Sequence, residues 1–181
     1  MKKKEILVVV GSVRQQRAAD GVLGLVKSYL EERQSGVNMV VADLRELNLP
    51  MIDSSIMPSS DDFVPQHDSV KTWQELVSSA DTVIMLTPEY NSGIAPAQKN
   101  AIDWLYHDWQ KKPVIVVGYG WGGAVHARHH LSDVLKRVGA QKMMPAVSLN
   151  FEKEIAVDGS VLDEARVAEL LAPISKLIGQ L

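Results

Sequence analysis

The feature that most limits how this chain can fold is a series of short apolar segments along its 181 residues, separated by stretches with helical spacing. The first covers residues 6–10 without a polar side chain and ends at a glycine. Such runs are typical of strands buried on both faces, as in a parallel sheet, because a strand with one wet face alternates polar and apolar residues. We predict five strands, at residues 6–10, 37–41, 82–86, 114–117 and 142–147.

Between these segments, apolar residues recur every three or four positions, which indicates amphipathic helices. The clearest example places Val22, Val26 and Leu30 on one face, and Gly36 follows as a stop. In the last predicted helix, Pro173 predicts a kink or a break because proline has no N–H to donate. The other predicted helices cover residues 70–79, 97–105 and 123–138, and the last one follows a turn at Asp158 and Gly159.

Strands that alternate with helices predict an α/β protein with a doubly wound sheet. Helices should cover both faces of that sheet, because crossovers between parallel strands are right-handed. Residues 53–66, with two prolines and three acids, are interpreted as a surface loop. No repeat and no shift in composition divides the chain, so we expect residues 1–181 to form a single domain.

Composition excludes several classes of function. The formal net charge of -3 provides no general attraction for nucleic acid or an anionic membrane. The absence of cysteine removes disulfides, thiol nucleophiles and cysteine zinc sites, and it suits a reducing compartment. No apolar run approaches the ~18 residues of a membrane span, and the N-terminal run is too short for a signal peptide. We therefore expect a cytoplasmic protein that binds neither nucleic acid nor membrane.

Three loops follow the carboxyl ends of predicted strands, where doubly wound sheets bind ligands at the reversal of strand order. A glycine turn before a helix, with a hydroxyl and two guanidinium groups, favours a phosphate monoester in the first loop. The loop has neither the ending of a Walker A motif nor the spacing of a dinucleotide fingerprint, and an ordinary polar turn remains the alternative. Its candidate residues are Gly11, Ser12, Arg14, Gln16 and Arg17.

The second loop follows the third predicted strand and contains Pro88, Glu89, Tyr90 and Asn91. Its prolines and Gly93 restrict the backbone, so that backbone N–H groups are held in place for a planar ligand. Glu89 resembles a general base, but no second catalytic group is obviously paired with it. We therefore predict a structural or hydrogen-bonding role for Glu89.

The third loop is glycine-rich and contains Gly118, Tyr119, Gly120, Trp121, Gly122 and Gly123. It matches Gly-x-Gly-x-x-Gly, but it follows the fourth strand, and no acidic residue stands ~20 positions later to bind a ribose. Four glycines in six residues more simply indicate a backbone that approaches a flat ligand. Tyr119 and Trp121 either stack on that ligand or serve in core packing or a subunit contact.

Other clusters are weighed against ordinary structural roles. His126, His129 and His130 have helical spacing that suits a metal, but they match no known ligand set. A surface position or a subunit contact is therefore favoured for these histidines, and we predict no metal. The choice between core and subunit contact also stays open for Trp104, Tyr106, Trp109, Met143 and Met144.

The most specific segments are Pro88-Glu89-Tyr90-Asn91 and Lys99-Asn100-Ala101-Ile102-Asp103-Trp104. Together with Gly11-Ser12-x-Arg14 and the glycine loop from Gly118, they resemble the NAD(P)H-dependent FMN reductase family. That family includes flavodoxin-like quinone, azo-dye and chromate reductases. The resemblance extends from about Glu5 to Val147 and so covers most of the chain.

The resemblance implies a flavodoxin-like five-stranded parallel sheet of order 2-1-3-4-5, with FMN at its switch point. It implies that residues 88–91 line the isoalloxazine, largely through backbone groups, and that residues 118–123 lie against the other side of the flavin. Trp121 is bulkier than the residue usual in that loop, so we expect it to narrow the acceptor pocket. The implied phosphate ligands, after the turn at Gly11, are Ser12, Arg14, Gln16 and Arg17.

The implied activity is hydride transfer from NADPH or NADH to flavin N5, followed by reduction of a quinone, free flavin or similar small acceptor. Because the flavin carries this chemistry, no catalytic side chain is predicted. The family also implies a homodimer or homotetramer, with the flavin near a subunit interface. The alternative is a flavodoxin-like electron carrier without nicotinamide activity, but mild acidity and arginines in the first loop argue against it.

Overall fold

The computed structural model describes residues 3–34, 36–142 and 145–180. Two short 3-10 turns, at His107–Trp109 and Trp121–Ala124, accompany the helices and strands. In chain order the helices and strands are β1 (Lys4–Val10), α1 (Ala19–Arg33), β2 (Val37–Asp43), α2 (Leu44–Leu47), α3 (Asp68–Ser79), β3 (Thr82–Tyr90), β4 (Gly93–Ile94), α4 (Pro96–Asp103), β5 (Pro113–Gly120), α5 (Val125–Arg137), β6 (Gln141–Lys142), β7 (Val147–Asn150) and α6 (Glu164–Gly179).

The sheet has the strand order β2-β1-β3-β5, and both β6 and β7 pair with the free edge of β5. These strands are all parallel, whereas β4 pairs antiparallel with the end of β3. If β4 is set aside and β6 and β7 are counted as one interrupted strand, the order is 2-1-3-4-5. The predicted flavodoxin-like, doubly wound sheet is therefore confirmed.

The fifth strand was predicted at residues 142–147 as one piece, and that prediction is wrong. Among the described residues, β5 pairs with Gln141–Lys142 and with Val147–Asn150, and positions 145 and 146 between them belong to no strand. Pro145 lies in the interruption, and proline has no N–H to donate to a sheet ladder. Met143 and Met144, for which we expected core or interface packing, lie outside the described residues.

The sheet separates two apolar cores, and β1 contributes to both. Ile6, Val8 and Val10 pack under α1 and α6, whereas Leu7 and Val9 pack under α3, α4 and α5. All five side chains are at most 1% exposed, which explains why the segment has no polar residue. The second core also contains Trp104 and Trp109, so the core interpretation of these two residues is confirmed.

Two strands extend further than the hydropathy predicted, and this extension shapes the site. β3 was predicted to end at residue 86 and β5 at residue 117, but the ladder between them continues through Thr87↔Gly118 and Pro88↔Tyr119. Polar residues and glycines at these positions hide the strand from a hydropathy pattern. The second and third loops are therefore partly strand, and α5 begins at Val125 instead of residue 123.

The last helix, α6, continues through Pro173, so of the predicted kink or break, the break does not occur. Its apolar stripe includes Val167 and Leu171 before the proline and Ile174 and Ile178 after it, all packed in the core with α1. Continuous burial on both sides of the proline offsets the lost backbone hydrogen bond. The turn predicted at Asp158 and Gly159 is confirmed.

Candidate functional site

A cleft of about 710 Å³ lies at the carboxyl ends of β1, β3 and β5. Its walls come from three sequence-predicted loops and from a segment after β7 that was not predicted. Eleven of the fifteen predicted site residues line it, namely Ser12, Arg14, Gln16, Arg17, Pro88, Glu89, Tyr90, Asn91, Tyr119, Gly120 and Trp121. The other lining residues are Ala18, Phe151, Val157 and Asp158.

Four predicted site glycines do not line the cleft, and each of them shapes the backbone beneath it. The N–H of Gly11 donates to the carbonyl of Leu86 at 3.0 Å, and a Cβ at Gly11 would come within 2.8 Å of Gln98. The first loop can therefore leave β1 close to β3. The other glycines outside the lining are Gly118, Gly122 and Gly123.

The glycine loop turns sharply from β5 into α5. Gly120 and Gly123 have φ values of 130° and 60°, a region that side chains disfavour. A Cβ on Gly123 would lie 1.7 Å from the Ser148 hydroxyl oxygen, so this position has no room for a side chain. The turn brings the backbone of Gly120 to the cleft, as expected for a loop that approaches a flat ligand.

The first loop, residues 11–18, presents backbone donors at the start of α1. Among the described residues, no protein acceptor takes a hydrogen bond from the N–H groups of residues 12–18. Unpaired N–H groups before a helix favour an anion. Arg14 is exposed at the cleft and forms no ion pair within the described part of the chain, so its charge is available to the same anion.

Arg17 was predicted to hold the phosphate, but its guanidinium is already engaged by the protein. Its side chain is 3% exposed and forms ion pairs with Asp43 and Asp20. It also donates to the backbone carbonyl of Ser12. The hydrogen bond to Asp43 raises the pKa of the Arg17 guanidinium above its ordinary value, so the group stays charged.

A cluster of hydroxyl groups lies beside the first loop. The Ser12 hydroxyl and the Tyr90 hydroxyl are 2.8 Å apart and share a hydrogen bond. Tyr119 is 3% exposed, and its hydroxyl has no hydrogen-bond partner in the described structure. Burial raises the pKa of Tyr119, so its hydroxyl keeps its proton. A buried donor without a partner in the wall of a cleft points to a ligand that accepts from it.

Glu89 has the hydrogen-bonding role that its isolation in the sequence predicted. Its Oε2 atom accepts hydrogen bonds from the backbone N–H groups of His126, at 2.9 Å, and Ala127, at 3.2 Å. A carboxylate at this position satisfies free N–H groups of α5 and complements the helix dipole. The histidines of α5 are exposed, and no group of metal-binding side chains is found in the described residues.

The open rim of the cleft is aromatic. Trp121 is 62% exposed and packs edge-to-face on Phe151, with ring centroids 5.6 Å apart. Phe151, Val157 and Asp158 were not among the predicted site residues, because they reach the cleft only through tertiary packing. Gly159 lies against the backbone of Ala18, and this contact brings the segment to the first loop. From the sequence, only a turn was predicted in this segment.

These features fit a flavin mononucleotide. The cleft has the size of a small-molecule site, ~300–1,000 Å³. Unpaired N–H groups and Arg14 suit a single phosphate at one end, and the Tyr119 hydroxyl supplies a buried donor. The ends of the paired strands β3 and β5, at Pro88 and Gly120, both line the same cleft beyond the end of their ladder, where a planar ring could lie. Fold and site thus define a flavodoxin-like nucleotide-binding protein.

Comparison with known proteins gives the family. A sequence model of the NADPH-dependent FMN reductases matches residues 5–154. An NAD(P)H-dependent FMN reductase of Nectria is 36% identical over 149 residues, which is 78% of this chain and 72% of that protein. An NAD(P)H-dependent FMN reductase of Saccharomyces cerevisiae is 31% identical over 179 residues, or 91% of this chain and 93% of that protein. The chain belongs to the NADPH-dependent FMN reductase family and is an oxidoreductase of that class.

Solved structures agree with this assignment. The flavoenzyme NAD(P)H:(acceptor) oxidoreductase of Paracoccus denitrificans aligns with a TM-score of 0.75 and 27% identity, over 97% of this chain and 96% of that one. The azoreductase AzrA aligns with a TM-score of 0.66 at 15% identity, a similarity of fold alone. In the described part of this chain, no helix combines the length and apolar character needed to span a bilayer.

Proposed function

We propose that this chain binds FMN in the cleft, takes reducing equivalents from NADPH or NADH, and passes them to a small acceptor such as a quinone or free flavin. One observation carries the proposal: unpaired backbone donors, Arg14 and the unpaired Tyr119 hydroxyl all lie on one cleft at the switch point of the sheet. That is where doubly wound sheets bind nucleotides.

The first loop would hold the phosphate. Ser12 and Gln16 offer side-chain donors, residues 12–18 offer backbone N–H groups, and Arg14 supplies the positive charge. Residues 88–91 and 119–121 would enclose the ring from two sides. When bound, FMN supplies the hydride chemistry at its N5 atom, between nicotinamide and acceptor.

The protein's own contribution to the reaction is orientation. The hairpin of β3 and β4 is held to α5 by Glu89, so the backbone at Pro88 has a defined position. Trp121 and Phe151 border the opening through which nicotinamide and acceptor must enter. We propose that the exposed Trp121 ring limits the size of the acceptor, because tryptophan is bulkier than the residue usual at this position of the glycine loop.

The test is an anaerobic titration of FMN-loaded protein, freed of excess flavin, in which the flavin absorbance is followed as NADPH and then NADH is added. We expect retained flavin that bleaches rapidly with one or both nicotinamides. Retained flavin that bleaches with neither would favour the electron-carrier alternative. Failure to retain flavin would contradict a bound cofactor and indicate FMN as a passing substrate.

We further propose a single-domain protein that assembles as a homodimer or homotetramer in the cytoplasm. The exposed apolar side chains of Met51, Met57 and Val64, all between α2 and α3, support a subunit contact. Light scattering coupled to size exclusion tests the oligomeric state, and fractionation of the source cells tests the location. Limited proteolysis that released a stable fragment would contradict the single domain.

A further inference from the structure

We propose that Arg17 and Asp43 are positioning residues: together they hold the first loop in the shape that binds the FMN phosphate, and neither contacts the phosphate. The inference rests on the proposed function, because it concerns the same site. It assigns a role to Asp43, which does not line the cleft, and it changes the role that the sequence suggested for Arg17.

The guanidinium of Arg17 donates four hydrogen bonds within the protein. A guanidinium carries five N–H donors. The Nε–H donates to Asp20 at 3.0 Å, one terminal nitrogen donates to Asp43 at 2.9 Å and to the Ser12 carbonyl, and the other donates to Asp43 and approaches Asp20 at 2.8 Å. All three guanidinium nitrogens are therefore engaged by protein oxygens, and a phosphate would have to compete with these contacts.

Asp43 is a firm anchor for this contact. It is the last residue of β2 and pairs in register with Val10, the residue from which the first loop departs. Its Oδ1 atom also accepts from the N–H of Arg45 at 2.9 Å and so caps α2. The ladder on one side and the helix cap on the other keep its carboxylate in place beside the loop.

The contact with Ser12 closes the loop on itself. Arg17 reaches back five residues to the Ser12 carbonyl while its other terminal nitrogen is held by Asp43. The intervening N–H groups, which have no acceptor in the described structure, are thereby held in an arched segment before any ligand arrives. Such preorganisation lowers the entropy lost on binding.

Charge supports positioning over direct binding. The Arg17 cation faces two carboxylates, Asp43 and Asp20, and the Arg45 guanidinium is 3.9 Å from Asp43. Glu46 also pairs with Arg45, at 3.1 Å, so two positive and three negative groups form this cluster and it provides no net attraction for a phosphate. Arg14 is the cation of the loop that has no carboxylate neighbour within the described residues.

The substitution Asp43→Asn distinguishes a positioning role of Arg17 from direct phosphate binding, because the two roles predict opposite changes in FMN affinity. Asparagine is also a good helix N-cap, so α2 keeps its cap. If Arg17 were a phosphate ligand, the loss of the Asp43 charge would free it, and FMN would bind equally well or better. If Arg17 positions the loop, the same substitution loosens the loop and weakens FMN binding.

The experiment compares dissociation constants for FMN and for riboflavin, which lacks the phosphate, by flavin fluorescence titration of the flavin-free full chain. The variants are Asp43→Asn, Arg17→Lys and their combination. Asp68→Asn is the matched control, because it removes a carboxylate from an exposed i,i+3 pair on α3. Thermal unfolding without flavin checks that each variant folds.

We expect both single variants to weaken FMN binding about tenfold or more, and riboflavin binding by less than about threefold. The combined variant should be no worse than Arg17→Lys alone, because the two residues act through one contact. Unchanged or tighter FMN binding in Asp43→Asn would overturn the inference, and so would equal losses for both flavins. If the unmodified chain did not bind FMN, the proposed function itself would fail, which is a distinguishable result.

Discussion

At the scale of single residues, Arg14 and Arg17 stand three positions apart in one loop and have different environments. Arg14 is exposed at the cleft, whereas Arg17 is buried among carboxylates. Composition and spacing treat the two residues alike, because both are permanent cations near a helix start. Only the acceptors around each guanidinium distinguish a candidate phosphate ligand from an arginine that binds other groups of the protein.

The substitution Arg14→Gln should raise the dissociation constant for FMN about tenfold. This is the lower end of the range for the loss of a charge-assisted hydrogen bond, because solvent at this exposed site weakens the interaction. Riboflavin binding should stay nearly constant, since it has no phosphate. Fluorescence titration measures both constants, and the control is Arg33→Gln on the far end of α1. Equal effects on the dissociation constants of the two flavins would show that Arg14 does not bind the phosphate.

Trp121 is the residue for which we predict an effect on acceptor choice. Trp121→Ala removes a ring that is 62% exposed at the rim, so kcat/KM for a bulky naphthoquinone should rise relative to that for benzoquinone. Trp121→Phe keeps an aromatic contact with Phe151 and should preserve more of the original ratio. An unchanged ratio in the alanine variant would place Trp121 outside the path of the acceptor.

At the scale of elements, Glu89 connects the β3–β4 hairpin to α5. It satisfies two N–H groups at the start of a helix whose preceding residue, Ala124, offers no capping side chain. The hairpin turn itself is tight, with φ of 48° at Asn91 and 60° at Ser92. Two adjacent residues with positive φ match a type I′ turn, which suits the twist of a two-stranded hairpin.

We expect Glu89→Ala to lower the free energy of unfolding by about 1 kcal/mol, because α5 loses its cap. Glu89→Gln keeps an acceptor oxygen and should lose less than half as much. Urea denaturation measures both, with Glu31→Ala on the exposed face of α1 as the control. Identical losses in the alanine and glutamine variants would mean that charge, and not the hydrogen bonds, matters at this helix end.

At the scale of the whole molecule, the cleft joins elements that are distant along the chain. Residues from the first loop, from β3, from β5 and from the segment after β7 meet at one edge of the sheet. A ligand that contacts all four stabilises the folded state as a unit, because the unfolded chain has no such site.

FMN at a hundred times its dissociation constant should stabilise the protein by about 2.7 kcal/mol. For a chain of this length, that corresponds to a rise in Tm of roughly 5–10 °C. Differential scanning calorimetry measures the shift, and riboflavin at the same concentration should give a smaller one. A Tm that did not respond to FMN would contradict preferential binding to the folded protein.

The strand order 2-1-3-4-5 was implied by the family resemblance alone. Patterns within the sequence predicted the doubly wound α/β class, the two-sided burial of β1 and the three loops that carry eleven of the cleft residues. These features depend on local signals, because hydropathy period and glycine or proline content are properties of neighbouring residues. The same signals misplaced strand ends at residues 86 and 117, where ladder pairing extends the strands through polar positions and glycines.

The partners of individual side chains depend on tertiary packing. Arg17 pairs with Asp43, which is 26 positions away in the sequence, and Phe151 packs edge-to-face on Trp121 at the rim of the cleft. Asp158 reaches the first loop because Gly159 packs on the backbone of α1. Which acceptor a donor finds depends on three-dimensional proximity after the helices have packed, and no local pattern of residues contains that information.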